Sequence, residues 1–97
     1  SNSLGAVITP AANITLVANT RQQITGNYCS ISIYNPNPEP VYWGGSTVTV
    51  ALGMPICTVA PNCPDRVMSV DVKSAGGIWL IAAAGVAGIR VVLGTGC

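Results

Sequence analysis

The sequence predicts an all-β protein, a single-domain antiparallel β-sandwich or small Greek-key barrel. Short apolar runs alternate with polar residues at a period of two, as in strands with one buried face. Eleven glycines and seven prolines separate these runs. No window repeats apolar residues at a period of 3.6 over three turns, as an amphipathic helix would. The length of 97 residues suits one compact domain, so we assign residues 1–97 to a single unit.

We expect about seven or eight strands. The alternation is clearest where Cys29, Ile31 and Ile33 are interleaved with serines and tyrosines, which predicts that Tyr28 lies on the polar face. The prolines of 35–40 then end the strand, because proline lacks the backbone donor of a sheet ladder. The expected strands are residues 6–9, 14–18, 28–34, 41–43, 46–52, 66–73, 78–83 and 89–93, with 21–27 as a connection.

Particular residues in these strands have predicted positions. In 46–52 we expect Val48, Val50 and Leu52 to point inward after a reversal at Gly44-Gly45. Residues 78–83 are apolar on both faces, and residues 89–93 are nearly so apart from Arg90. This is typical of central strands covered on both sides or of strands at a subunit contact. One of the neighbours Tyr42 and Trp43 should pack in the core, and the other should face outward.

The composition limits the kinds of partner. Charged residues make up 7% of the chain, against about 25% in ordinary domains. A net charge of +1 with four dispersed cations offers no basic patch for nucleic acid or an anionic membrane. Residues 75–94 are long enough to span a membrane as a helix, but five glycines and Arg90 favour two strands around a turn. So neutral a surface fits two interpretations: a well-packed domain with a surface of Ser, Thr and Asn, or a surface covered by other protein, including self-association into a small oligomer.

No catalytic, cofactor-binding or metal-binding residues are predicted. The chain has no histidine, and its carboxylates Glu39, Asp65 and Asp71 are dispersed, which disfavours an enzyme. The nearest cysteines, Cys57 and Cys63, have five residues between them, wider than the spacing of structural zinc sites.

The four cysteines are therefore expected to form disulfides. A Cys57–Cys63 bridge would close the proline-rich loop 55–64. A Cys29–Cys97 bridge would hold the chain's last residue to the sheet; the alternatives are a buried free thiol at Cys29 and an intersubunit bond from Cys97. Oxidised cysteines indicate a site outside a reducing cytosol, or a particle that matures after leaving one.

Strand hydrophobes and turn glycines follow one another in a fixed order through the segments 28–35, 40–45, 48–49, 53–56, 77–82 and 89–92. In this order the segments, which cover about two thirds of the chain, resemble small β-sandwich accessory proteins of tailed bacteriophage virions. Trp79 and Leu80 depart from the Leu-Tyr of that pattern, and the loop between Cys57 and Cys63 is foreign to it.

The resemblance implies a capsid decoration or cement protein that binds the major capsid protein on the outside of a phage head. Contact would be made by strand edges and by a patch around Tyr42, Trp43, Trp79 and Arg90. A tail or fibre-tip module is also implied. An alternative from the residues themselves is a carbohydrate-binding module or adhesin, with Tyr34, Tyr42 or Trp43 as a stacking platform.

Overall fold

A computed structural model describes residues 7–8, 12–26, 28–56, 67–71 and 77–95. These residues contain nine strands, two of which are only two residues long. The strands are β1 Val7–Ile8, β2 Ala12–Leu16, β3 Gln22–Gln23, β4 Ser30–Tyr34, β5 Val41–Gly44, β6 Met54–Ile56, β7 Val67–Asp71, β8 Trp79–Ile81 and β9 Val86–Thr95.

Two antiparallel sheets confirm the predicted sandwich. The first has the order β1-β9-β4-β7, with β2 also paired to β9, and the second has the order β3-β8-β5-β6. When β1 and β2 are counted as one edge strand, this is the strand order of a jelly roll, a sandwich built from two Greek keys. All described strand pairs are antiparallel.

The core lies between the two sheets and is aliphatic. The central strands β9 and β4 of the first sheet contribute Ile89 and Ile33, which are fully buried. The second sheet faces them with Val41 and Leu80, also fully buried. Of the two interpretations of 78–83 and 89–93, the structure bears out a central position in the sheet, because β8 and β9 each have a neighbouring strand on both sides.

The predicted strand 46–52 is wrong. These residues form turns, in which the amides of Val48 and Leu52 donate to the carbonyls of Gly45 and Thr49 at 3.0 and 3.3 Å. Val48 is buried, but Leu52 is 87% exposed. The alternation of valine with polar residues therefore does not indicate a strand here. Val48 is buried as the one anchor of a loop.

Two short edge strands were not predicted. β3 consists of two glutamines and pairs only with β8 among the described strands. It has no apolar pattern, and backbone pairing with β8 defines it as a strand. β6 contains Pro55 and lies at the sheet edge, where a missing backbone donor is tolerated.

Tyr28 is buried, contrary to the prediction that it shares the polar face of its strand. β4 begins only at Ser30, so strand alternation does not extend back to residue 28. The Tyr28 hydroxyl donates to the Ile24 carbonyl at 2.8 Å and accepts from the Ile78 amide at 3.3 Å. Tyr28 is 4% exposed. Its hydroxyl links the segment before β4 of the first sheet to residues next to β3 and β8 of the second sheet.

Asn35 is a fully buried amide that connects the proline-rich loop to β6. Its Nδ2 donates to the carbonyls of Glu39 and Ile56 at 2.9 and 2.7 Å. Its Oδ1 accepts from the backbone and side-chain nitrogens of Asn37 at 3.0 and 3.2 Å. With its amide fully paired, a polar side chain is accommodated in the interior.

Candidate docking face

The structure does not bring together the four residues predicted to form one contact patch. Trp43 lies on the inner face of the second sheet and packs against the core. Its neighbour Tyr42 and, on the adjacent strand, Trp79 face the other way by strand alternation. Arg90 lies on the first sheet and is exposed, as predicted. The prediction that Tyr42 and Trp43 divide between core and surface is confirmed.

The outer side of the second sheet carries mainly apolar and aromatic side chains, with Gln23 at the edge opposite Trp79. Cross-strand pairing places Tyr42 beside both Ile81 and Pro55, and places Trp79 beside Gly44. Directly opposed residues share one face of a sheet. We call the surface formed by Tyr42, Pro55, Trp79 and Ile81 the aromatic face.

The loop 45–53 covers part of the aromatic face. Val48 fits between two glycines: a Cβ at Gly44 would meet Val48 Cγ2 at 2.9 Å, and a Cβ at Gly53 would meet the same atom at 2.9 Å. Only glycine permits so close an approach at both positions. Arg21 secures the loop from the opposite edge of the sheet, since its Nε donates to the Val48 carbonyl at 2.6 Å.

Val48 and Ile81 form part of a second, smaller apolar layer. They are 7% and 6% exposed, yet neither belongs to the cluster between the sheets. Ile81 is an outward residue of β8, and Val48 packs over the same side of the sheet. This outer layer leaves Tyr42 and Trp79 half-exposed at its margin.

The outer side of the first sheet has a different character. Arg90 lies over the Tyr34 ring, with Cζ 5.5 Å from the ring centroid, a distance that allows a cation–π contact. Strand pairing places Asn13 beside Arg90, and Ser32 lies on the same side two residues from Tyr34. The outer side of the first sheet thus mixes polar and charged groups with Tyr34 and Val92.

A large exposed apolar side chain marks the border of the aromatic face. Leu52 is 87% exposed and precedes Gly53 at the end of the covering loop. Met54 is 56% exposed, but it is opposed to Trp43 and therefore lies on the other side of the second sheet. Val17 is 67% exposed but follows β2, on the segment that bonds to residue 82 through the Asn19 amide. Hydrophobic periodicity missed Leu52 because it assigned that residue to a buried position.

Cys29 is disulfide-bonded, so the alternative of a free thiol at this position is wrong. Its sulfur lies 3.3 Å from the Gly94 carbonyl oxygen, and its amide donates to the same oxygen at 2.8 Å. Cys57, Cys63 and Cys97 lie outside the described residues, and so does the predicted Cys57–Cys63 bridge.

The described residues hold no group of three or more metal-ligating side chains of the histidine, cysteine or carboxylate type. Within the same residues, no helix is long and apolar enough to cross a membrane.

No family model matches the sequence, and no curated protein or solved structure shows significant similarity to it.

Proposed function

We propose that this chain is a non-enzymatic virion protein, a capsid decoration or cement protein that binds the outside of a phage head. It stabilises contacts between subunits of the major capsid protein by laying the aromatic face across the seam between them. The observation that carries the proposal is the uncharged aromatic face, bordered by exposed Leu52.

The difference between the two outer surfaces supports docking through one side. Large amphipathic rings such as Tyr42 and Trp79 are favoured in protein interfaces, whereas scattered serines and amides are favoured at solvated surfaces. Among the charged side chains that the structure describes, Arg21 borders the aromatic face, and its Nε is bonded to a backbone carbonyl. Docking there would leave few charges to desolvate.

A rigid clip would strengthen each joint that it spans, because a ligand that binds only the assembled state stabilises that state. The jelly roll suits this role, since viral capsid domains are among the proteins built on it.

Co-sedimentation of the purified chain with assembled phage heads tests the proposal. The chain should bind assembled shells and not free shell subunits. Leu52→Glu should weaken binding about tenfold or more, as expected for an apolar contact in an interface. Val17→Glu is the matched control, because it places the same charge at another exposed aliphatic position. Equal binding to shells and free subunits, or equal effects of the two variants, would contradict seam docking.

A carbohydrate-binding module or adhesin is the second candidate. Lectin domains also use jelly rolls, and Tyr42 and Trp79 are half-exposed on one surface. Of the three predicted platform residues, however, Trp43 packs against the core and Tyr34 lies under Arg90. A saturable change in tryptophan fluorescence on titration with host polysaccharide, absent from Trp79→Phe, would favour this candidate over the first.

A further inference from the structure

A cleft opens between the two sheets on the side where β2 and β3 form their edges. The first sheet lines it with Ala12, Ile14, Val91 and Leu93, and the second lines it with residues 22–25. Its volume is about 380 Å³, within the range of pockets that hold ligands. We call it the edge cleft. It is separate from the aromatic face, which lies on the outer side of the second sheet.

A bulge in the edge strand β2 accounts for the opening between the two sheets at the edge cleft. The pairing of β2 with β9 shifts register between Ile14 and Leu16, so the strand carries a bulge where it passes the cleft. A bulge bends its strand and increases the local twist. Leu16 is buried beyond the bulge, while Ile14 is only half-buried before it and Ala12 is exposed.

The lining selects an uncharged apolar guest. The side chains of Ala12, Ile14, Ile24, Val91 and Leu93 are aliphatic. The polar lining residues are two glutamines and a threonine, and none of the lining side chains that the structure describes is charged. A charged group would lose its hydration here without a partner of opposite sign.

The edge of β2 selects an extended guest. β2 is five residues long and pairs with β9 alone among the described strands. An exposed strand edge offers backbone donors and acceptors to an added strand. In such a strand every second side chain would enter the cleft beside Ile14, while the others would face solvent with Asn13 and Thr15, which are exposed.

We propose that the edge cleft binds an extended, uncharged peptide arm of a partner protein, which adds to β2 and inserts alternate aliphatic side chains between the sheets. The arm's backbone forms hydrogen bonds with the edge of β2. The cleft binds the arm's apolar side chains and so determines which sequences are accepted. The proposal does not depend on docking through the aromatic face.

Nuclear magnetic resonance of the isotope-labelled full chain tests the proposal. The probe is a short peptide of alternating threonine and valine, acetylated and amidated at its ends. It should shift the amide signals of Ala12, Ile14 and Thr25 saturably, and intermolecular Overhauser effects should join its valine methyls to Ile14. A peptide with serine in place of every valine should bind at least about tenfold more weakly, since each buried methyl-bearing side chain contributes to affinity.

Two variants separate the cleft from the rest of β2. Ala12→Trp places an indole in the cleft and should abolish peptide binding. Asn13→Trp places the same ring on the opposite side of the strand and should leave it unchanged. The Overhauser contacts to Ile14 locate the peptide in the unmodified chain even if a variant proves unstable.

Three results would overturn the proposal: no saturable shifts with the valine peptide, equal binding of the serine peptide, or binding of 1-octanol in the cleft without binding of the peptide. The last would make the cleft a small-molecule pocket. Leu52→Glu should leave peptide binding unchanged, so failure of shell docking and failure of this proposal are distinguishable.

Discussion

Gly53→Ala should destabilise the protein by displacing the loop that covers the aromatic face. A Cβ at this position would lie 2.6 Å from Tyr42 Cβ and 2.9 Å from the Thr49 carbonyl oxygen. Carbon atoms in contact are normally about 3.5–4.0 Å apart, so the new methyl overlaps Tyr42 by roughly 1 Å. Neither of these two atoms is the flexible end of a side chain. The loop must therefore shift.

The size of the effect follows from two opposing terms. Inserting a methyl into a packed site destabilises by about 1–3 kcal/mol. Replacing glycine by alanine restricts the unfolded chain, which returns about 0.4–1 kcal/mol. The net loss is about 1–2 kcal/mol, which lowers the melting temperature of a domain of this size by roughly 4–16 °C.

Gly45→Ala is the matched control. A Cβ at Gly45 has no neighbour within 4 Å, so only the unfolded-state term applies and stability should be unchanged or rise by up to about 1 kcal/mol. Urea denaturation followed by tryptophan fluorescence measures both variants. Hydrogen exchange at the Leu52 and Gly53 amides, which bond to the Thr49 carbonyl, reports the loop itself. If Gly53→Ala is as stable as Gly45→Ala, the packing of Val48 between two glycines is not what holds the loop.

Three further predictions concern the interior. Asn35→Ala should lower the free energy of unfolding by about 2–4 kcal/mol, because it leaves several buried backbone groups unpaired, whereas Asn37→Ala should cost about 1 kcal/mol in the same urea assay. Burial raises the pKa of Tyr28 above its ordinary value of 10.0, so the native state holds this proton more tightly than the unfolded chain. The contribution of Tyr28 to the free energy of unfolding should be fully present below about pH 10 and be lost as the pH rises further. Tyr28→Phe should reduce this loss in urea denaturation curves measured across the pH range. We predict that Cys29 pairs with Cys97, so Cys97→Ser should release one titratable thiol and lower the free energy of unfolding by about 4 kcal/mol; peptide mapping that joins Cys29 to Cys57 or Cys63 would refute this pairing.

The local sequence pattern predicted strands correctly where alternate side chains of the strand are buried in the core. Ile31 and Ile33 alternate with serines, and both are buried in β4. Residues 78–83 are apolar on both faces and residues 89–93 nearly so, and they contribute to β8 and β9, which lie inside the two sheets. Arg90 is exposed as its charge requires.

The candidate site was only partly predictable. The sequence identified four candidate contact residues, Tyr42, Trp43, Trp79 and Arg90. Which of them share a surface depends on which strands become neighbours. Tyr42 and Trp79 meet on one outer face because β5 pairs with β8, and that pairing joins residues far apart in sequence. Leu52 was assigned inward, and its exposure follows from the loop that Val48 anchors.

The sequence by itself determined the all-β class, the single domain and the sparsely charged surface, because composition, strand periodicity and turn residues act over a few neighbouring positions. Only the tertiary structure decided which of two adjacent aromatics enters the core, where a valine between glycines becomes a loop anchor, and that two glutamines form an edge strand. These outcomes depend on packing between segments distant in the chain. Their energies arise from contacts that no local pattern contains.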